Sequence, residues 1–188
     1  MIYMISGKAH NGKDTFANFL KEELEKQNKK VCILHLASYL KQMINNYFEY
    51  NDEKEFRTLM QEVGTDLIRI KMGKNDFFTN RIFEDIEILN NYYDTFIISD
   101  VRLRDEFIKF QKKYNNVIKI NITRPNFEYL TDKQEKHITE TDLDNYNDFN
   151  YKVVNTTLDK LKNDAKKIVL EVNELWKKWH IWKLEIYG

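Results

Sequence analysis

The chain is 188 residues long and carries 30 Lys+Arg against 30 Asp+Glu, a formal net charge of zero, so no bulk attraction to nucleic acid or to a membrane surface is expected. Its single cysteine, Cys32, has no partner for an internal disulfide, which fits a reducing, cytoplasmic setting. No apolar run approaches the ~18 residues of a membrane span and no leader pattern is visible, so one soluble domain over 1–188 is expected.

Ile2-Tyr3-Met4-Ile5-Ser6, closed by Gly7, has the pattern of a short buried strand. After Lys13, the residues Phe16, Phe19, Leu20 and Leu24 recur at helical steps. Between them, Gly7-Lys8-Ala9-His10-Asn11-Gly12-Lys13-Asp14-Thr15 has the G-x-x-x-x-G-K spacing of a phosphate-binding loop. Gly7 and Gly12 permit backbone approaches that a Cβ would block, so N–H groups can curl around a phosphate. The helix that follows turns its free N–H groups and positive dipole end toward the same anion. Lys13 then reaches the β- and γ-phosphates of ATP. Ser or Thr usually follows this lysine and binds Mg²⁺. Here Asp14 follows, then Thr15, and either can offer magnesium a hard oxygen.

A second parallel-type strand is predicted over Lys30–Leu36. A helix from Ala37 to Phe48 follows, with Leu40, Met43, Ile44, Tyr47 and Phe48 on one face. Asn51-Asp52 restarts the chain into a single helix from Glu53 to about Met72, its stripe being Phe56, Leu59/Met60, Val63, Leu67 and Ile70. Gly64 costs that helix ~1 kcal/mol relative to Ala and marks close packing, a kink or a substrate near the backbone. Gly73, Asn75 and Asp76 stop it, and a further helix runs from Asp76 to about Asn91 on Phe78, Ile82, Phe83, Ile86 and Leu89.

Thr95 to Arg102 reads as a buried strand ending in Asp100, the layout of a nucleotide site whose carboxylate faces Mg²⁺. Arg102 falls at its carboxyl end, where open parallel sheets bind ligands. Asp105–Tyr114 is a helix and Asn116–Ile122 a fourth strand, ended by Pro125 after Arg124. The polar stretch Thr123–Asn150 has little periodicity and reads as a lid. It contains Lys133, Lys136, His137 and Glu140, with no second ligand at zinc spacing, so a zinc site is rejected. Tyr151–Asn155 is a fifth strand. The last helix carries Leu158, Leu161, Ala165, Ile168, Val172, Leu175 and Trp179 as one stripe covering the sheet, and the aromatics of Trp176–Trp182 continue it.

Five strands alternating with helices imply an α/β fold in three layers, a five-stranded parallel sheet with helices on both faces and right-handed crossovers. Residues 37–92 form one insertion over the carboxyl edge, 123–150 a second, and 158–188 the C-terminal helix and tail. Two flaps over a phosphate loop suit transfer between two bound nucleotides, because closure excludes water. All six arginines lie mid-chain, at 57, 69, 81, 102, 104 and 124, and their planar fork suits bidentate phosphate contacts.

Four segments together carry a family resemblance: Gly7 to Thr15 with its G-K-D-T ending; Gln61-Glu62-Val63-Gly64-Thr65-Asp66 with Arg69; Ile98-Ser99-Asp100-Val101-Arg102; and His137-Ile138-Thr139-Glu140-Thr141. Over roughly Met1 to Leu161 the chain resembles the deoxynucleoside monophosphate kinases of bacteriophages and related bacterial proteins, within the P-loop nucleotide kinases. Thr139 stands where that pattern has Ser, and Phe77 or Phe78 where an aromatic, often Trp, follows Asp76. The G-K-D-T ending is shared with phosphomevalonate kinases.

The resemblance implies transfer of the ATP γ-phosphoryl to a deoxynucleoside 5′-monophosphate with Mg²⁺, in the cytoplasm (of a host, if the protein is phage-encoded). It implies a cradle from Gly7 to Thr15, with Lys13, Asp100, Arg102 and Arg124 catalytic and Asp14, Thr15 and Asp100 around the metal. Arg69 and Arg102 would clamp the acceptor phosphate, and Arg124 would serve the ATP base or the transferring phosphoryl. Lys136, His137 and Glu140 would be lid contacts, Glu140 orienting its neighbours. The expected partners are small nucleotides, with neither nucleic acid nor membrane, and a homodimer is left open. The alternatives are another small acceptor (a ribonucleotide, dephospho-coenzyme A or phosphomevalonate) and a nucleotide-binding module without transfer activity.

Overall fold

The strand β1 (Ile2–Ser6) is buried along its whole length, with Tyr3 and Ile5 toward one face and Ile2 and Met4 toward the other. In this computed structural model, which describes residues 1–125, 127 and 129–187 and side chains as far as Lys178, β1 is the centre of a five-stranded parallel sheet. With β2 (Val31–Leu34), β3 (Thr95–Val101), β4 (Val117–Thr123) and β5 (Tyr151–Val154), the order is β2-β3-β1-β4-β5. Two-sided burial is why these strands are apolar runs without alternation.

Helix α1 (Lys13–Glu25) and α8 (Leu158–Tyr187) pack together on one face, where Phe16, Leu20, Leu161, Ala165 and Val169 join Tyr3 and Ile5. The other face carries α2 (Ser38–Tyr47), α4 (Phe77–Leu89) and α5 (Arg104–Lys113), where Ile44, Ile82, Phe107 and Phe110 join Met4 and Ile98. The three-layer expectation therefore holds. Within α8, Leu158 and Leu175 are exposed rather than part of the buried stripe, while Val169 is buried. The expected packing of Trp179 and of the tail to Trp182 lies outside the described side chains. Tyr47 at the end of α2 is likewise exposed.

The largest departure from the periodicity lies in the first insertion. The single helix expected from Glu53 is α-helical only over α3 (Glu53–Gln61) and then continues as a π-helix over Glu62–Lys71. Its i→i−5 bonding is seen where the Met72 N–H donates to the Leu67 carbonyl at 2.9 Å. The wider turn brings Ile68 into the core after Val63 and turns Leu67 and Ile70 outward. Gly64 faces α2, and a Cβ there would collide with Leu40.

The lid is less irregular than its composition suggested. It contains the short helices α6 (Asp132–Glu135), capped by Thr131, and α7 (Ile138–Thr141), capped by the His137 ring. Its return is pinned by Lys119, a fully buried lysine of β4 whose ammonium bonds Asp148, the Tyr146 hydroxyl and Gln111. Among the described residues no helix is long and apolar enough to cross a membrane.

Candidate active site

The turn between β1 and α1 has the geometry its spacing predicts. Gly7 has φ 148° and Gly12 φ 90°, and His10 between them adopts φ 55°. A Cβ on Gly7 would collide with the carbonyl oxygen of Ile122, and one on Gly12 would strike the Asn155 amide. Helix α1 starts from Gly12 with no side-chain cap, so its first-turn N–H groups are left for a ligand. Lys13 is buried and donates to the Lys8 carbonyl at 2.8 Å. Burial, followed by the neighbouring Arg102 guanidinium, pulls its ammonium down to about 7.

The loop opens onto a cavity of about 810 Å³ at the carboxyl edge of the sheet, lined by Lys13, Asp14, Thr15, Asp100, Arg102, Arg124 and Glu140 together with residues of the first insertion. At that edge the β1/β3 register slips between Met4 and Ser6, so that Ile98 pairs with Met4 but Val101 with Ser6. At this bulge Ser99 supports Asp14 from beneath the cavity wall while Asp100 lines the cavity. The Ser99 hydroxyl lies 2.7 Å from Asp14 Oδ1, to which it donates, and 2.8 Å from His35 Nδ1. Asp100 accepts the N–H groups of Leu36 at 2.7 Å and Ala37 at 3.0 Å, one on each carboxylate oxygen.

Asp100 therefore holds the β2–α2 loop in addition to lining the cavity. Alanine at this position orphans two N–H groups, one on the buried Leu36. With charge-assisted bonds worth ~1.5–3 kcal/mol each, and the partly exposed Ala37 N–H able to turn to water, it should destabilise the fold by roughly 2–4 kcal/mol. The urea midpoint measures this, and an unchanged midpoint would show that the two bonds contribute nothing.

Among the described residues no group of three or more His, Cys, Asp or Glu could hold a metal ion by itself. The donor set still suits Mg²⁺, which is commonly held through one or two carboxylates plus phosphate and water oxygens. Asp14, exposed at the cavity wall, and Asp100, each of whose oxygens keeps a second lone pair, are such carboxylates.

The arginines of the cavity wall are held by two buried glutamates. Arg69, from the π-helical segment, pairs with Glu106 at 2.6 Å and lies over the Phe78 ring at 5.0 Å. The same carboxylate accepts the N–H groups of Arg102 and Leu103 at 2.8 and 3.0 Å. Arg102 Nη1 bonds Glu140 at 2.8 Å, and Arg57 Nη1 reaches the same oxygen at 3.2 Å. Arg124 lies over Phe127 at 4.1 Å and donates to the His10 carbonyl at 3.4 Å. His10 in turn meets Tyr129 of the lid, ring centroids 3.9 Å apart, and Glu53 at 3.4 Å.

Other expected contacts fall elsewhere. Lys136 is exposed and outside the cavity. His137 caps α7 and faces Asp66 at 3.5 Å, so it joins lid to insertion rather than lining the cavity. Lys8 turns away to Asp144, and the Asn11 amide supports the loop through the Ile122 carbonyl. Of the two candidate aromatics, Phe78 lines the cavity and Phe77 does not. Arg57, Glu106, Gln61 and His35 line it without having been assigned roles. Their signals were faint: an arginine off a helical stripe, a glutamate at a helix start, a glutamine and a strand-end histidine.

A family model described as deoxynucleotide monophosphate kinase matches residues 37–165. Among solved structures, the crystal structure of APE1195 aligns with TM-score 0.51 and 14% identity over 92% of this chain and 96% of that one. At that identity it speaks for the fold. An unliganded sugar kinase from Janibacter sp. HTCC2649 aligns with TM-score 0.47 and 10% identity over 90% and 92% of the two chains. No curated protein matches the chain.

Proposed function

The chain belongs to the deoxynucleotide monophosphate kinase family, and from that premise we propose that it transfers the γ-phosphoryl group of ATP to a deoxynucleoside 5′-monophosphate, giving a deoxynucleoside diphosphate and ADP. The observation that supports this reading is one cavity lined both by a glycine-rich loop with its lysine and by a set of arginines. The loop and Lys13 form one wall, and Arg69 and Arg102 the other.

Phosphoryl transfer asks little covalent chemistry of a protein, since positioning and charge stabilisation lower the barrier. The loop N–H groups and Lys13 would hold the β- and γ-phosphates, and phosphate returns to the lysine the charge that burial disfavours. Arg69 and Arg102, fixed by Glu106 and Glu140, would align the acceptor phosphate for in-line attack. Arg124 sits beside the loop at His10, on the donor side. Asp14, oriented by Ser99, and Asp100 would hold Mg²⁺ with its waters, while Thr15 lies beside them in the cavity wall. When bound, the metal neutralises phosphate charge. The lid and the first insertion meet at the cavity wall through Arg57 and Glu140, and behind it Gln134 donates to the Lys54 carbonyl at 2.9 Å and to Thr58 at 3.0 Å. That cover would keep water from the reacting phosphoryl.

The test is ADP release from ATP-Mg²⁺ with a panel of deoxy- and ribonucleoside monophosphates, against a control lacking acceptor. Turnover restricted to deoxynucleotides is expected. A ribonucleotide preference, or release that ignores the acceptor, would refute the assignment.

A further inference from the structure

One guanidinium in the cavity has no role in the scheme above. We infer that Arg57 is a further phosphate-binding residue, and that Glu140 of the lid is the positioning residue that sets Arg57 beside Arg102 above the phosphate loop. The inference rests on the phosphotransfer reading.

Three parts of the chain that connect separately to the sheet meet at one carboxylate. Arg57 comes from α3 in the first insertion, Arg102 follows β3, and Glu140 comes from α7 in the lid. Glu140 is 5% exposed. Its Oε1 accepts from Arg102 Nη1 at 2.8 Å and from Arg57 Nη1 at 3.2 Å. Its Oε2 accepts the Ala9 N–H of the phosphate loop at 3.1 Å. Two guanidiniums drawn this close repel each other, and a shared buried carboxylate offsets that repulsion. Burial lowers the pKa of Arg57, with Glu140 opposing the shift and Arg102 adding to it, so the two cations sense one another.

The geometry leaves both arginines able to bind something else. A guanidinium presents five N–H donors in a fixed plane. Among the described residues, each of these two engages Glu140 through Nη1 alone. Both line the cavity beside the phosphate loop, with Lys13 nearby. Two guanidiniums with spare planar donors, beside the loop that would hold the donor phosphates, form a site for the acceptor phosphate. Glu140 is on the lid and Arg57 on the insertion, so their contact joins these two segments beside Arg102.

The experiment compares wild type, Glu140→Gln, Arg57→Ala and the double variant. Acceptor KM, kcat and ATP KM are measured by ADP release, and deoxynucleoside monophosphate binding is titrated calorimetrically without ATP. Each single variant should weaken the acceptor side, in KM or in direct binding, by on the order of 10²-fold, as a misplaced contact group can. In Arg57→Ala, ATP KM should move by less than about threefold. The double variant should be little worse than the poorer single one, the signature of groups acting as a unit.

Additive losses, an unchanged acceptor side in Arg57→Ala, or parallel weakening of both nucleotides with a lowered melting midpoint would overturn the inference. Wild type that binds deoxynucleotides without turning them over would refute the reaction, while the variants still decide the site by binding. Wild type that neither binds nor turns over any of them would overturn both. Should Glu140→Gln fail to fold, Arg57→Lys, which keeps charge but loses the planar fork, takes its place and should lose most of the acceptor affinity.

Discussion

Alanine at Lys13 is expected to lower kcat by about 10²–10³-fold, the typical effect of deleting one preorganised donor aimed at developing phosphoryl charge. The lysine is suited to that work because it is not solvated in the free protein. It is buried against the Lys8 carbonyl, and its ammonium is brought down to about 7 by burial first and Arg102 second. Phosphate restores the charged form, so the complex binds more protons than the free protein. ATP affinity should therefore fall as pH rises above about 7. Calorimetry at about pH 8, in buffers of different ionisation enthalpy, should show proton uptake on binding.

The same shift has a stability consequence of opposite direction. For a base with a depressed folded pKa, the cost to folding is full below about 7 and is relieved as pH climbs toward the unfolded value of 10.5. Lys13→Met should therefore raise the melting midpoint of the nucleotide-free protein, more at about pH 6 than near pH 10. Retention of more than a tenth of turnover in Lys13→Ala, or no proton uptake in wild type, would remove the lysine from its assigned role.

Arg102→Ala is expected to cost kcat/KM for the acceptor on the order of 10²–10³-fold, because it removes charge and geometry together. Arg102 is connected in both directions. Its side chain is held by Glu140, and its backbone N–H by the Glu106 carboxylate that also holds Arg69. Arg102→Lys should recover little, since a point charge does not reproduce a planar fork. ATP binding should be nearly unchanged, which separates loss of the acceptor clamp from general collapse. Turnover equal to wild type in Arg102→Ala would show that the clamp lies elsewhere.

The glycine-rich loop was legible in the sequence because it is local. Gly7, Gly12 and Lys13 lie within seven consecutive residues, and their function depends on backbone conformation and one helix start, both of which short-range patterns encode. The apolar strand runs and helical stripes likewise imposed the layered sheet. Much of the arginine–glutamate wall of the cavity was not legible, because it is assembled from distant segments. Arg57 and Glu140 are 83 residues apart in sequence, and neither side chain announces the other. The π-helical register over Glu62–Lys71 was hidden too, since an α-periodic reading assigns Leu67 and Ile70 inward while the wider turn selects Ile68.

Local backbone chemistry and hydrophobic period thus determined the phosphate loop, the order of strands and helices and the parallel sheet. Tertiary structure decided which charges share a site. It bonded Asp100 to the β2–α2 loop, turned His137 to Asp66, left Lys136 in solvent and placed Arg57 with Arg102 on Glu140. The reason is physical: burial and dihedral preference act residue by residue along the chain, whereas desolvated charges are settled only by the partner that folding brings within hydrogen-bond distance.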